Sequence, residues 1–153
     1  HSVFREKHPF KAAVAMVPVT NLFFRLSYKG PSYQRQFATQ QRILGLPFEK
    51  REIYKERSPI YHVDKLQVPL LVHVATNDTD VNFEEAEQII DALRARKPTL
   101  SEPKVYVNPT PGPASVGHTF NRRTNTTTLQ RDDSPEQVES WDLVWAFWAK
   151  HLK

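Results

Sequence analysis

The stretch Leu70–Ile90, "LLVHVATNDTDVNFEEAEQII", decides how this chain reads. An apolar run ends in a polar turn holding two carboxylates, Asp78 and Asp80, and a helical pattern follows. A short unbroken apolar run suits a strand buried on both faces, as in a parallel sheet. That strand is expected over Val68–Thr76. Asn82 can then cap a helix, Glu85 stands three residues on, and Ala86, Ile89, Ile90 and Leu93 share one face. Two aspartates at the end of a buried strand form either a solvated corner or part of a site.

The same pattern extends outward. "KAAVAMVPV" (Lys11–Val19) reads as another doubly buried strand and "KVYVNP" (Lys104–Pro109) as a third. "HSVFREKHPF" reads as the tail of a helix and a connection. Residues 20–57 mix aromatics with a Gly30-Pro31 break and suggest one or two helices. Ser58-Pro59 resembles a cap followed by proline at the first helical position. Ser134-Pro135-Glu136-Gln137 is a helix start with serine cap and capping-box glutamine. Val138, Trp141, Val144, Trp145, Trp148 and Leu152 follow at helical spacing and are expected to pack on a sheet. Alternating strands and helices make an α/β fold: about three parallel strands with helices packed on the sheet, in a single unit over residues 1–153.

Composition narrows the classes. The 153 residues can bury a core. There are no cysteines, which excludes disulfides and thiolate metal sites. The histidines show no metal-ligand spacing, so no metal and no cofactor are expected. The net charge is +4, but the basic residues are interleaved with acids, as in "FEKREIYKER", so no nucleic-acid surface is implied. No apolar run is long enough to span a bilayer, so no membrane partner is expected.

In open parallel sheets, reactive groups gather beyond the carboxyl ends of the strands. Asp78 lies just past the second strand and His118 in the loop after the third. A carboxylate that orients an imidazole, with that imidazole as proton shuttle, makes two-thirds of a serine-hydrolase triad. The order acid then histidine is the order of α/β-hydrolases. Taken alone, Asp78 reads first as an Asx turn or helix cap, and His118 has the alternative of a loop histidine satisfied by backbone. His73, inside a strand, reads as a core or edge histidine.

At these residues the chain resembles the catalytic domain of the prolyl oligopeptidase family. "SPIYHVDKLQVPLLVHVATNDTDVNFEEAEQIIDAL" carries the resemblance, with "KAAVAMVPVTN" similar to the family's preceding strand and "GHTF" to its histidine loop. The order and spacing of these segments, rather than any one motif, make the match. The resemblance implies a partial α/β-hydrolase fold, with Asp78 as triad acid and His118 as triad histidine. It also implies a peptide or ester substrate and no cofactor. The family often places Arg or Asn two residues past the acid, against a substrate carbonyl. Asp80 stands there instead, which implies a pocket that repels carboxylates and favours an amine or a basic group. Val81 matches a position lining the primary specificity pocket.

The nucleophile is missing. A nucleophile elbow needs Gly-x-Ser-x-Gly, and the four glycines, Gly30, Gly45, Gly112 and Gly117, include no pair four apart. Ser115 follows the acid and has no elbow. By the resemblance, the elbow serine is expected upstream of His1, so that the chain is the C-terminal part of a catalytic domain and inactive alone. An exposed sheet edge beside the first strand is then expected to meet the missing N-terminal part of the domain, or to self-associate. The alternative function is a non-catalytic α/β module that binds a partner chain through that edge.

Overall fold

The structure is a computed structural model that describes residues 1–5, 7–40, 43–109, 117, 118, 125 and 127–152. Three parallel strands form one sheet in the order β1-β2-β3: β1 Ala13–Met16, β2 Leu70–Ala75 and β3 Ser101–Tyr106. The helices are α1 Leu22–Tyr28, α2 Pro31–Gln40, α3 Arg51–Glu56, α4 Phe83–Arg96 and α5 Pro135–His151. Short 3-10 turns cover Ser2–Phe4 and Pro59–Lys65.

β2 is unbroken in its apolar character because both its faces are covered. Leu70, Val72 and Val74 pack with Ala86, Ile89, Ile90 and Leu93 of α4, together with Val63, Leu66, Val3 and Phe4. On the other face Leu71 packs with Ala12, Val144 and Phe147, and half-buried Trp141 and Trp148 of α5 close over them. β2 therefore holds a fixed register, and its carboxyl end delivers the Asp78 turn to one place at the rim.

Several expectations need correction. β3 begins three residues earlier than the expected Lys104, and Pro103 lies inside it. Leu70 N–H bonds Leu100 O and Thr76 N–H bonds Tyr106 O, so the even-numbered residues of β3 turn their backbone groups to β2. Pro103 therefore lacks a donor only on the outer edge, where it is tolerated. Residues 20–57 hold three short helices, not one or two. The first residues form a 3-10 turn that buries Val3 and Phe4. Ser58 does not cap: its Oγ accepts from Leu22 N–H at 2.9 Å and donates to Tyr54 O at 2.7 Å, tying two helices together.

The capping box at Ser134 forms as read, with Ser134 and Gln137 bonding reciprocally. The expected apolar stripe of α5 is rotated, however. Gln137, Ser140, Val144 and Phe147 are buried, while Val138, Trp145 and Leu152 are about half exposed. The reason is His73. This residue of the central strand is fully buried, and its Nδ1 lies 2.7 Å from Ser140 Oγ. Satisfying a buried imidazole brings the polar Ser140 inward and turns part of the apolar stripe out.

Burial, helped by the charge of Lys104, pushes the His73 imidazole down from its ordinary 6.5 to about 4. Between those values the unfolded imidazole binds a proton that the folded one refuses. Stability should therefore fall as pH drops from 6.5 to about 4, by on the order of 3 kcal/mol, then level off. Urea denaturation across that range should show the slope, and a His73→Leu variant should flatten it.

Candidate active site

Asp78 closes the turn after β2. Its Oδ1 accepts from Asp80 N–H at 2.8 Å and Val81 N–H at 3.0 Å. This Asx turn fixes the carboxylate and leaves Oδ2 free to face the His118 loop. His118 Nδ1 lies 2.8 Å from Oδ2 and 3.0 Å from Oδ1. The two residues are thus brought together across 40 positions of sequence. A carboxylate can only accept, so Nδ1 carries the hydrogen and Nε2 of the neutral ring holds the lone pair. The Asp78 side chain is buried while the imidazole is partly exposed, which is the polarity a proton shuttle needs.

Gly117 makes this contact possible. Its φ is +73°, a conformation that L side chains rarely adopt. A Cβ there would lie 2.2 Å from Asn77 Oδ1 and 2.6 Å from the Asn77 carbonyl carbon. The histidine loop therefore presses onto the aspartate turn with no room for a side chain. Asn77 is held from the other side, its amide donating to Pro109 O at 3.1 Å. Asn108 N–H donates to Thr76 Oγ1 at 2.9 Å, which joins the ends of β2 and β3 beneath the site. Asn77 is thus held between the histidine loop and Pro109.

Asp80 stands on the opposite side of the imidazole. Its Oδ2 is 3.4 Å from His118 Nε2. Its carboxylate also meets two cations of α1: Lys29 Nζ at 2.9 Å and Arg25 Nη2 at 3.3 Å. The Lys29 hydrogen bond, opposed by burial and aided by the charges of Arg25, Lys29 and His118, holds the Asp80 carboxyl below the usual range. Val81 is buried beneath the turn. Among the described residues no group of three or more His, Asp or Glu side chains could hold a metal ion.

Sequence reasoning missed the support behind Asp80. Arg25 is buried, and its Nη1 donates to Asp80 O at 3.2 Å and Tyr28 OH at 3.1 Å, its Nε to Tyr33 OH at 2.8 Å. Glu85 is fully buried 3.8 Å from Arg25 and accepts from Thr20 N–H, Asn21 N–H and Tyr28 OH. The expected local cap between Asn82 and Glu85 is therefore corrected: Glu85 turns inward, and Asn82 makes no side-chain cap. One signal was present. Arg25 is a lone charge among aromatic and apolar neighbours in "LFFRLSY", and such a charge is buried only with partners. Ser115 lies outside the described residues.

Comparisons with known proteins bear on the family and the fold. The model of the prolyl oligopeptidase family matches residues 2–130. An acylaminoacyl peptidase structure in complex with Z-Gly-Gly-Phe-chloromethyl ketone is similar at TM-score 0.67 and 12% identity, covering 99% of this chain and 21% of that one. A Pyrococcus horikoshii acylaminoacyl peptidase is similar at TM-score 0.65 and 14% identity, covering 99% and 22%. A Mycobacterium tuberculosis puromycin-hydrolyzing peptidase is similar at TM-score 0.54 and 25% identity, covering 69% and 15%. These likenesses show the α/β-hydrolase fold, and the chain spans about a fifth of the length of the first two structures. No curated protein matches the chain in sequence.

Gly117→Ala should separate His118 from Asp78, since the new Cβ meets backbone rather than a movable side-chain tip. The strained φ alone should cost about 1–2 kcal/mol. Thermal unfolding should report that loss, and the His118 Nδ1 proton signal in NMR should weaken through faster exchange with water.

Proposed function

The chain belongs to the prolyl oligopeptidase family, and from that premise we propose that it supplies the acid and histidine of a Ser-Asp-His hydrolase acting on peptide or ester bonds. The observation that carries this reading is the Asp78–His118 pair, 2.8 Å apart at the carboxyl rim of a parallel sheet. His118 Nε2 takes the proton of a serine hydroxyl as that oxygen attacks the substrate carbonyl. Asp78 holds the tautomer and stabilises the imidazolium that forms. His118 then returns the proton to the leaving amine or alcohol, and water repeats the cycle on the acyl-enzyme.

The serine has to come from outside these residues, since no Gly-x-Ser-x-Gly occurs among them. The oxyanion donors belong with that elbow. In this reading residues 1–153 are the C-terminal part of a catalytic domain. Asp80 faces the substrate side of the imidazole and Val81 supports it from beneath. Because Lys29 and Arg25 already balance the Asp80 charge, its preference for an amine is weaker than that of a free carboxylate.

One observation favours a second reading, that of a binding module. Ala13 N–H bonds Pro69 O just before β2 and Val17 N–H bonds His73 O within it, which leaves the backbone groups of Val14 and Met16 on the outer edge of β1. A groove of about 380 Å³ opens beside it, lined by Phe10, Ala13, Ala15, Val19, Ile89 and Trp148 among others. Such an edge accepts a strand from the rest of a hydrolase domain or from a second copy.

A fluorophosphonate probe tests the first reading. The full-length protein should label, and His118→Ala should abolish labelling. Asp78→Asn should lower turnover roughly 10⁴-fold. A full-length protein that neither labels nor hydrolyses peptides or p-nitrophenyl esters would end the enzyme reading. For the edge, the 153-residue chain should run larger than its 17.8 kDa mass in light scattering, and Met16→Pro, which removes an outward donor, should bring it back toward that mass; an unchanged size would mean the edge is unused.

A further inference from the structure

The Nε2 side of His118 is where a reacting hydroxyl must sit, and a carboxylate already stands there. Asp80 Oδ2 is 3.4 Å from Nε2, inside ion-pair range yet long for a hydrogen bond. The same carboxylate is closer to Lys29 Nζ, at 2.9 Å from Oδ1, and Arg25 Nη2 reaches both oxygens at 3.3 and 3.4 Å. The backbone of Asp80 is pinned as well, its N–H by Asp78 Oδ1 and its O by Arg25 Nη1. Only the carboxylate is left to move, between two cations on α1 and one imidazole.

We propose that Lys29 and Arg25 are positioning residues which hold the Asp80 carboxylate back from His118 Nε2 and so keep that nitrogen open to a reacting hydroxyl. The proposal rests on the reading of His118 as the general base. A carboxylate that closed on Nε2 would favour the imidazolium and occupy the direction from which the hydroxyl approaches. The cations oppose this in two ways. They bind the carboxylate directly, and they cancel much of its field at the imidazole.

Among the described residues the charged groups facing His118 are Asp78 and Asp80, and those facing Asp80 are His118, Lys29 and Arg25. Behind them Arg25 meets Glu85, Tyr28 and Tyr33. The Asp80 carboxyl is held below its ordinary range, so it stays ionised wherever a histidine titrates. Burial works against the Arg25 charge, and Tyr33, Tyr28 and Asp80 more than offset it. Arg25 is therefore a fixed post, with Lys29 the more exposed partner.

The test uses this chain and diethyl pyrocarbonate, which acylates neutral imidazole. Peptide mass mapping separates His118 from His1, His8, His62, His73 and His151, and the rate is followed over about pH 5–8. Lys29→Met should let Asp80 close on Nε2, slowing His118 labelling and moving its half-maximal rate up by roughly half a pH unit. Lys29→Arg should restore the original profile. Asp80→Asn should speed labelling and move the profile down by a similar amount, and adding Lys29→Met to it should change little, because Lys29 acts through Asp80. An equal Lys29→Met shift in both backgrounds would overturn the proposal, as would no shift in either. Labelling requires no turnover, so a failure here leaves the hydrolase reading to the fluorophosphonate result.

Discussion

The carboxylate of Glu85 is fully buried, and a buried charge persists only where hydrogen bonds and an opposite charge surround it. Its partners come from separate parts of the chain: Thr20 and Asn21 just past β1, Tyr28 and Arg25 on α1. Glu85 itself sits in the first turn of α4, directly after the Asp78 turn. One side chain therefore fixes the exit of β1, the orientation of α1 and the entry of α4 relative to one another. Arg25 carries that constraint forward to the backbone of Asp80. Removing Arg25 would leave Glu85 buried without its opposite charge, whereas Arg25 without Glu85 would still hold Asp80.

The site hangs from this frame through few contacts, each serving more than one end. Asp78 closes its own turn with one oxygen and orients His118 with the other. The bonds that close the turn leave room on the same carboxylate for His118, so the turn role and the acid role proposed for it do not compete. Gly117 works similarly. Its left-handed backbone turns the loop, and its missing Cβ admits Asn77. Chemistry at Nε2 then depends on what approaches from the open side, where Asp80 is the nearest described acid.

Much of this was legible in the sequence, for physical reasons. β2 is covered on both faces and β1 is half-buried on both, so each was written as an unbroken apolar run. β3 is an edge strand with Glu102, Pro103 and Lys104 inside it, and only its last residues looked like a strand. The Asp78–His118 pair could be expected from the order of motifs, but the steric fit that joins them depends on a φ angle and a close approach that no pattern displays. Arg25, Lys29 and Glu85 were missed because their partners lie far along the chain, 55 residues in the case of Arg25 and Asp80. A local capping rule offered Glu85 a nearer role that the fold did not use. Trp145 and Leu152 were expected in the core because helical spacing cannot register a histidine in a facing strand.

The two edges of the sheet differ in kind. On β1 the outward backbone groups of Val14 and Met16 belong to residues with both a donor and an acceptor. On β3 the outward row is interrupted at its middle by Pro103, which has no donor to offer. Head-to-tail stacking of sheets uses both edges, and here the β3 edge is the weaker of the two. The two edges are therefore not interchangeable, and a neighbouring strand on β3 would find one donor fewer than on β1.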